Sequence, residues 1–205
     1  MTIQLADKVP FGVNSPIYGD MFKFSGYAVG NHYGPALPYG GSTMQVYALV
    51  ANTIIFVPFV PLANHTFKGI SSFNTSTAEN GWVFRVGIYD SGPDFRPLNL
   101  LVDGGQITLT AAAALRTVVI NQALLKNRLY WIAAAGPAAN MPTLAATFSN
   151  ISQPYCAGLK AADLVTSATH MGQMRQAHAY GALPAVTTTP TCVAATYKPF
   201  MLLEA

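Results

Sequence analysis

Apolar and polar residues alternate along the middle of the chain, which is the pattern of strands in a sheet. In the segment WVFRVGIYD, residues 82–90, the residues Trp82, Phe84, Val86 and Ile88 fall on one side and the residues between them on the other. Side chains of a strand point to alternate faces, so this period of two predicts a strand with one buried face. At least seven such short segments predict an all-β fold, an antiparallel β-sandwich of jelly-roll-like form.

Two segments within this pattern carry signals for a turn and for an edge. The pair Asp103-Gly104, or Gly104-Gly105, separates two apolar runs, and this composition predicts a two-residue hairpin turn. Pro58 and Pro61 interrupt the run IIFVPFVPL. Because proline cannot donate a ladder hydrogen bond, we expect that strand at an edge or at a bend.

The apolar side of the strands predicts which residues form the core of the sandwich. Residues on the buried faces of neighbouring strands are expected to meet in one layer. The predicted core residues are Trp82, Phe84, Val86, Ile88, Leu100, Ile107, Val118, Ile120, Tyr130 and Ile132.

Composition divides the chain into a sandwich at residues 44–148 and two extensions. Residues 1–43 are rich in proline, glycine and aromatic residues, which predicts an extended N-terminal arm that docks on a neighbouring subunit or folds back on its own domain. Residues 149–205 form a C-terminal extension that we expect to pack partly on the sandwich and partly on neighbouring subunits. Within it, residues 158–179 fit either a short helix or an extended strand. The candidate assembly contacts are Phe11, Tyr18, Phe22, Phe24, Tyr27, Phe200 and Leu203.

The low content of charged residues indicates that other subunits cover part of the surface of the chain. Hydrophobic residues make up 51% of the 205 residues and charged residues 9%, against about 25% charged in typical soluble domains. A monomer of this composition would leave much apolar surface in water, so we expect an oligomer. The chain has no apolar run long enough to span a bilayer and opens without the pattern of a signal peptide. Its net charge of +3 is scattered, which argues against nucleic-acid binding.

Residues with catalytic or metal-binding chemistry do not form a recognisable motif. The four histidines are His32, His65, His170 and His178. No acidic residue or cysteine stands at a matching interval, so interface or surface roles explain them better than a metal. Asp90, Asp94 and Asp103 fit turns better than a calcium loop. No serine-nucleophile motif is present, and Cys156 and Cys192 are expected to be free thiols. We therefore expect no enzyme activity, no catalytic residue, no metal and no cofactor.

Several aromatic residues allow two interpretations, packing within the protein or contact with a sugar or a partner protein. Trp82 and Trp131 lie in predicted strands and are expected to pack in the sheet rather than to stack on sugars. Tyr33, Tyr39 and Tyr155 lie in loops beside asparagine and glycine, a composition that suits saccharide contact and protein interfaces equally.

The order of several segments resembles a sandwich domain of tailed-bacteriophage virion proteins. The segments are FVPF, VFRVGIYD, LLVDGGQI and LYWIAA followed by GP, between Ile54 and Thr147, or about half of the chain. In that family a strand of the form R-x-G-I-Y precedes a D-G-type hairpin and a strand of the form L-x-x-x-x-Y-W.

The resemblance implies a non-enzymatic structural protein of a phage particle. It implies a homotrimer that decorates or cements the capsid, or belongs to a short fibre, with other virion proteins such as a capsid or tail protein as partners. The alternative is a tail-fibre or receptor-binding module that recognises host surface carbohydrate. The protein would be located in the virion, after assembly in the cytoplasm of the bacterial host. Removal of residues 1–30 is expected to leave a folded domain that no longer joins particles.

Overall fold

The structure, a computed structural model, confirms the β-sandwich. It describes residues 26–34, 45–76, 79–110, 113–148, 174–188, 190–192, 197–199 and 201–205. Within these residues the chain is all-β, and two antiparallel sheets pack against each other. The larger sheet is called sheet A and the smaller sheet B.

Sheet A is built around one long central strand. Its strands are β1 (His32–Tyr33), β2 (Gln45–Ala48), β4 (His65–Asn74), β7 (Ala114–Leu124), β9 (Thr143–Phe148), β12 (Tyr197–Pro199) and β13 (Met201–Glu204). Strand β4 pairs with β7 along almost its whole length. Strand β13 pairs with the same part of β4 and therefore lies on its other side, with β1 beyond it.

Sheet B contains the four segments that carry the family resemblance. Its strands are β3 (Thr53–Phe59), β5 (Val83–Ser91), β6 (Pro97–Thr108), β8 (Tyr130–Gly136), β10 (Met174–Ala177) and β11 (Thr191–Cys192). They are ordered β11-β10-β3-β8-β5-β6. The segments FVPF, VFRVGIYD, LLVDGGQI and LYWIAA thus lie on, or overlap, four consecutive neighbours, β3, β5, β6 and β8.

The main core lies between the two sheets and contains most of the predicted core residues. Phe84, Val86, Ile88, Ile107, Ile120, Tyr130 and Ile132 are buried in it, and Trp82 and Val118 pack against it while partly buried. Leu100 instead packs against a second cluster on the opposite face of sheet B. The alternation of apolar and polar residues therefore predicts the buried side chains correctly on the face of sheet B that sheet A covers.

The second face of sheet B is also covered, so the expectation of one buried face is wrong for this sheet. Tyr89 and Trp131 point away from the main core and yet have no exposed surface. They pack with Ile54, Leu183 and the partly buried Tyr180. We call residues 178–188, which supply the last two side chains, the strap.

The segment Asp103-Gly104-Gly105 is a bulge inside β6, so the predicted hairpin turn is wrong. Strand β6 runs through it without a break, and Val86 pairs with Gly105 while the next residue of β5 pairs with Asp103. One residue is therefore extra on β6, and Gly105 adopts a φ of 87°. Glycine at positive φ is used both in this kind of bulge and in a primed hairpin turn, so the same residues fit either structure.

Strand β3 lies inside sheet B, between β8 and β10, so an edge position, one of the two alternatives expected for it, is wrong. Strand β10 pairs with it only from Thr53 to Phe56. Pro58 lies beyond this pairing, so its missing donor removes no described hydrogen bond to β10.

Both extensions contribute strands to the sandwich. Residues 32–33 form β1, and β10 to β13 all come from beyond residue 148. Of the segment 158–179, only residues 174–179 are described, and β10 within them is a strand rather than a helix. Strands from the C-terminal extension join both sheets.

A glycine substitution tests the bulge. Gly105→Ala meets open space but forces an alanine to positive φ, which costs roughly 1–2 kcal/mol of the free energy of unfolding. Thermal and urea unfolding should show this loss. Gly181→Ala is the control, because Gly181 has neither a positive φ nor a close neighbour, and its effect should be near zero. Equal stability of both variants would contradict the bulge.

Candidate functional site

The strap is fastened to sheet B by hydrogen bonds from strands β5 and β6 and from Asn52, which precedes β3. They join His178 N to Asn52 O (2.8 Å), Tyr89 Oη to Pro184 O (2.8 Å), Leu183 N to Asp103 Oδ2 (3.2 Å), Leu100 N to Ala185 O (2.8 Å) and Thr187 N to Leu98 O (2.8 Å). The last two continue the sheet beyond the edge strand β6, where Asn99 and Val186 form a bridge. The strap therefore covers both a face and part of an edge.

Asp103 is the polar centre of this arrangement. Its carboxylate accepts hydrogen bonds from Arg85 Nε at 2.8 and 2.9 Å, from Gly105 N at 3.0 Å and from Leu183 N. The bond to Gly105 spans two residues and is the local turn that aspartate favours. The bulge of β6 thus turns one carboxylate toward both β5 and the strap.

These contacts shift the pKa of both charged partners. Burial opposes ionisation of Asp103, but hydrogen bonds from Arg85, Gly105 and Leu183 outweigh it and hold the pKa of this carboxyl below its ordinary value. The hydrogen bond to Asp103 raises the pKa of Arg85. Both groups are therefore charged at neutral pH.

Tyr180 and Gln106 extend the Asp103 cluster at the surface. Tyr180 Oη lies 3.2 Å from Gln106 Oε1, to which it donates a hydrogen bond. Burial raises the pKa of Tyr180, and the positive charge of Arg85 opposes this rise. The Nη groups of Arg85 make no hydrogen bond within the described part of the chain. A phenol, an amide and a guanidinium therefore stand together at the end of the strap.

A serine, a histidine and a threonine form a second polar group on sheet A. Ser71 Oγ lies 3.0 Å from His32 Nδ1 and 2.7 Å from Thr117 Oγ1. The serine has no exposed surface, so its hydroxyl is not accessible to a substrate in this arrangement. The cluster ties β1, β4 and β7 together.

The other histidines and aspartates that the structure describes make local contacts. His178 Nε2 lies 3.1 Å from Ala182 O, and the ring of His65 packs against Tyr27 and Phe67. Asp90 accepts two hydrogen bonds from Asn99, and Asp94 lies beside Arg96. Within the ranges that the structure describes, no group of three or more histidine, cysteine or acidic side chains could hold a metal ion. His170 and Cys156 lie outside the described residues, as does the side chain of Cys192.

Two of the candidate assembly contacts lie on the chain's own domain. Leu203 is fully buried in the core on β13, so its predicted contact with a neighbouring subunit is wrong. Tyr27 packs on Tyr33 and Phe67 and accepts a hydrogen bond from Leu62 N at 2.9 Å, which makes it an anchor of residues 26–34 on the sandwich. The other candidates, Phe11, Tyr18, Phe22, Phe24 and Phe200, lie outside the described residues.

The structure describes three of the five aromatic residues that have two possible roles. Trp131 is fully buried beneath the strap, and Trp82 is partly buried against the main core. Tyr33 packs on Tyr27 and accepts a hydrogen bond from Ala28 N at 2.7 Å. Tyr39 and Tyr155 lie outside the described residues.

Large apolar side chains remain on the surface at several places. They are Val29, Val46, Val50, Val60, Phe95, Leu101, Leu115, Val119, Leu125 and Val186. Val29 and Val119 are the most exposed of them, at 90% and 87%. Val119 and Leu115 lie on β7, whose outward-facing side chains alternate with residues of the main core. Sequence reasoning placed the inward residues of β7 but named none of the outward ones.

Comparison with known proteins gives no family for the chain. Neither a scan against protein-family models nor a search of curated proteins finds a match. A search of the described residues for a helix long and apolar enough to cross a membrane finds none.

Substitution of Asp103 tests its role as the anchor of the strap. Asp103→Asn should lower the free energy of unfolding at neutral pH by about 1.5–3 kcal/mol, the range for a hydrogen bond to a charged group. Because the pKa of this carboxyl is lower in the folded state, its contribution is present above the ordinary aspartate pKa and is lost as the pH falls through the lowered value. The variant should therefore lose less stability than the wild type on acidification.

Asp94→Asn is the matched control for this experiment. Asp94 is 53% exposed, meets Arg96 Nε at 3.6 Å and accepts a long hydrogen bond of 3.3 Å from Arg96 N. An exposed carboxylate with such contacts contributes little, and asparagine can still accept the hydrogen bond. Chemical unfolding at several pH values compares the two variants. If Asp103→Asn behaved like Asp94→Asn, the anchoring role of Asp103 would be excluded.

Proposed function

We propose that the chain is a non-enzymatic structural protein of a tailed-bacteriophage particle. It is an oligomeric surface component of the decoration or cement type, or part of a short fibre. It stabilises the particle through contacts with copies of itself and with a capsid or tail protein. Residues 1–25 and the exposed apolar side chains of the sandwich supply these contacts.

The arrangement of the resembling segments supports this proposal. Four segments that are separate in sequence lie on four neighbouring strands, β3, β8, β5 and β6. Their order in the sequence therefore reflects one block of sheet B rather than unrelated pieces. The Asp103-Gly104-Gly105 bulge departs from the hairpin that the family pattern implies, so the proposal rests on the strands and not on that turn.

The surface of the sandwich is the observation that carries the proposal. Exposed valines, leucines and a phenylalanine occur on both sheets and their loops, while charged residues make up only 9% of the chain. Surfaces that stay in water usually carry more charge, and apolar patches mark interaction sites. An assembly in which copies cover one another satisfies both features.

Antibody labelling of virus particles tests this role. Antibodies against the chain should bind particles purified from a culture of the bacterium that harbours the gene, and electron microscopy should place the label at a regular position. Particles that lack the chain, while the cell lysate contains it, would contradict the proposal.

A deletion then tests the N-terminal arm. Because Tyr27 packs on the sandwich, the deletion should stop at residue 25 rather than at residue 30. The shortened chain should fold, as circular dichroism would show, and should be absent from particles that incorporate the full-length chain. Incorporation at normal occupancy would exclude the arm as an assembly contact.

A second candidate function, recognition of host carbohydrate, is favoured by the surface around Tyr180. Aromatic rings stack on sugars, and amide and guanidinium groups bind hydroxyls; Tyr180, Gln106 and Arg85 present these groups together. The isolated chain should then bind on a glycan array, Tyr180→Ala should abolish binding, and Phe95→Ala, at an exposed aromatic residue elsewhere, should not. No binding by the wild type would exclude this candidate.

A further inference from the structure

Strand β7 is an edge strand with few of the features that usually protect an edge. Its pairing with β4 shifts register once, since Gly69 pairs with Val119 and Phe67 with Gln122. Within the described residues it pairs with β4 alone. Its 11 residues contain no proline or glycine and one charged residue, Arg116. Edge strands of monomeric proteins are normally short, charged, bulged or covered, because an open row of backbone donors and acceptors pairs with another strand.

The polarity of β7 is symmetric about Val119. In an antiparallel pair of two β7 strands centred there, Val119 faces its own copy, Thr117 faces Asn121 and Leu115 faces Ala123. On the other face of the pair, Val118 faces Ile120 and Arg116 faces Gln122. Apolar residues thus meet apolar residues, and polar residues meet polar residues, along the whole strand.

This register also keeps the charges apart. Each Arg116 faces the neutral Gln122, so no like charges stand opposite each other, an arrangement that would weaken a strand pair. Centring the pair one residue earlier would place Arg116 against Ile120, and one residue later against Leu124. Only the register at Val119 among these three matches polarity at every position.

Exposed and inward-facing side chains alternate along β7 through this shift, so the geometry permits the same register. Two strands related by a two-fold axis perpendicular to the sheet are antiparallel and keep the same face outward. Residues opposite each other must then share a face, as they do when the axis passes through Val119. Val119 is 87% exposed, so a second copy can approach it.

We propose that two copies of the chain associate through antiparallel pairing of their β7 strands, with Val119 on the two-fold axis. The pairing joins the two A sheets into one continuous sheet. This pairing rests on the proposed function for its biological meaning, and it deepens that function by naming a second copy of the chain as the partner. It predicts a two-fold contact rather than the trimer implied by the family resemblance. One strand pair buries less than the roughly 1,600 Å² of a standard interface, so the dimer is weak and concentration-dependent.

Disulfide trapping tests the pairing at its centre. Residues directly opposite in an antiparallel pair bring their Cβ atoms to about 4.5–5.5 Å, close to the range for a disulfide. The purified V119C chain should therefore form disulfide-linked dimers under mild oxidation. V29C is the matched control, since Val29 is equally exposed but lies outside the strands. The wild type controls for the native Cys156 and Cys192. Equal cross-linking of all three chains would overturn the proposal.

Charge substitutions test the pairing without a covalent bond. V119K places two ammonium groups opposite each other and should weaken the dimer about tenfold or more, while V29K should dimerise like the wild type. V119D should also weaken the homodimer. A mixture of V119K and V119D should form heterodimers in native mass spectrometry. Unchanged self-association of V119K, or the absence of heterodimers from the mixture, would exclude β7 pairing. These experiments use the purified chain, so their failure would leave the virion role to be judged by the labelling of particles.

Discussion

Sheet B has apolar side chains on both faces, and the rest of the fold follows from the need to cover them. Sheet A covers one face. The strap covers the other, over Tyr89 and Trp131. Because a loop has few apolar side chains of its own, it needs polar anchors, and the Asp103 carboxylate is the central one. The bulge in β6 makes this possible, since it turns Asp103 toward Arg85 and Leu183 at once. Backbone irregularity in one strand thus helps to hold the strap over Tyr89 and Trp131.

The sequence pattern predicts those parts of the fold that depend on local alternation. The strand around Phe84 to Ile88 and the core residues on its inner side follow directly from the period of two. The strap could not be predicted in this way, because its contact with Asp103 spans 80 residues and its own residues have no regular period. A signal for it exists, however. Tyr89, Trp131 and Ile54 are large residues on the outward side of their strands, and so many apolar residues on a second face indicate a second cover.

The wrong predictions have physical causes that can be stated. The composition of Asp103-Gly104-Gly105 predicts a turn because turns and bulges both use glycine at positive φ, and only strand pairing separates them. Pro58 and Pro61 predict an edge or a bend, yet a proline is tolerated inside a sheet where the neighbouring strand has already ended, as β10 has beside Pro58. Leu203 suggested an exposed docking tail because its apolar run ends the chain, but the same run fits between β4 and β1. In each case the composition indicated the local conformation of the segment. It did not indicate which strand pairs with that segment, and the pairing decided the outcome.

The large apolar side chains that a single sandwich leaves exposed are the basis of the proposed function. The most exposed strand valine lies at the centre of an edge strand of symmetric polarity, and few charges oppose association. Sedimentation velocity of the wild-type chain over a wide range of concentrations is the most direct test of this account. The average mass should rise with concentration from monomer toward dimer or higher species. A chain that sediments as a monomer at every concentration would contradict it.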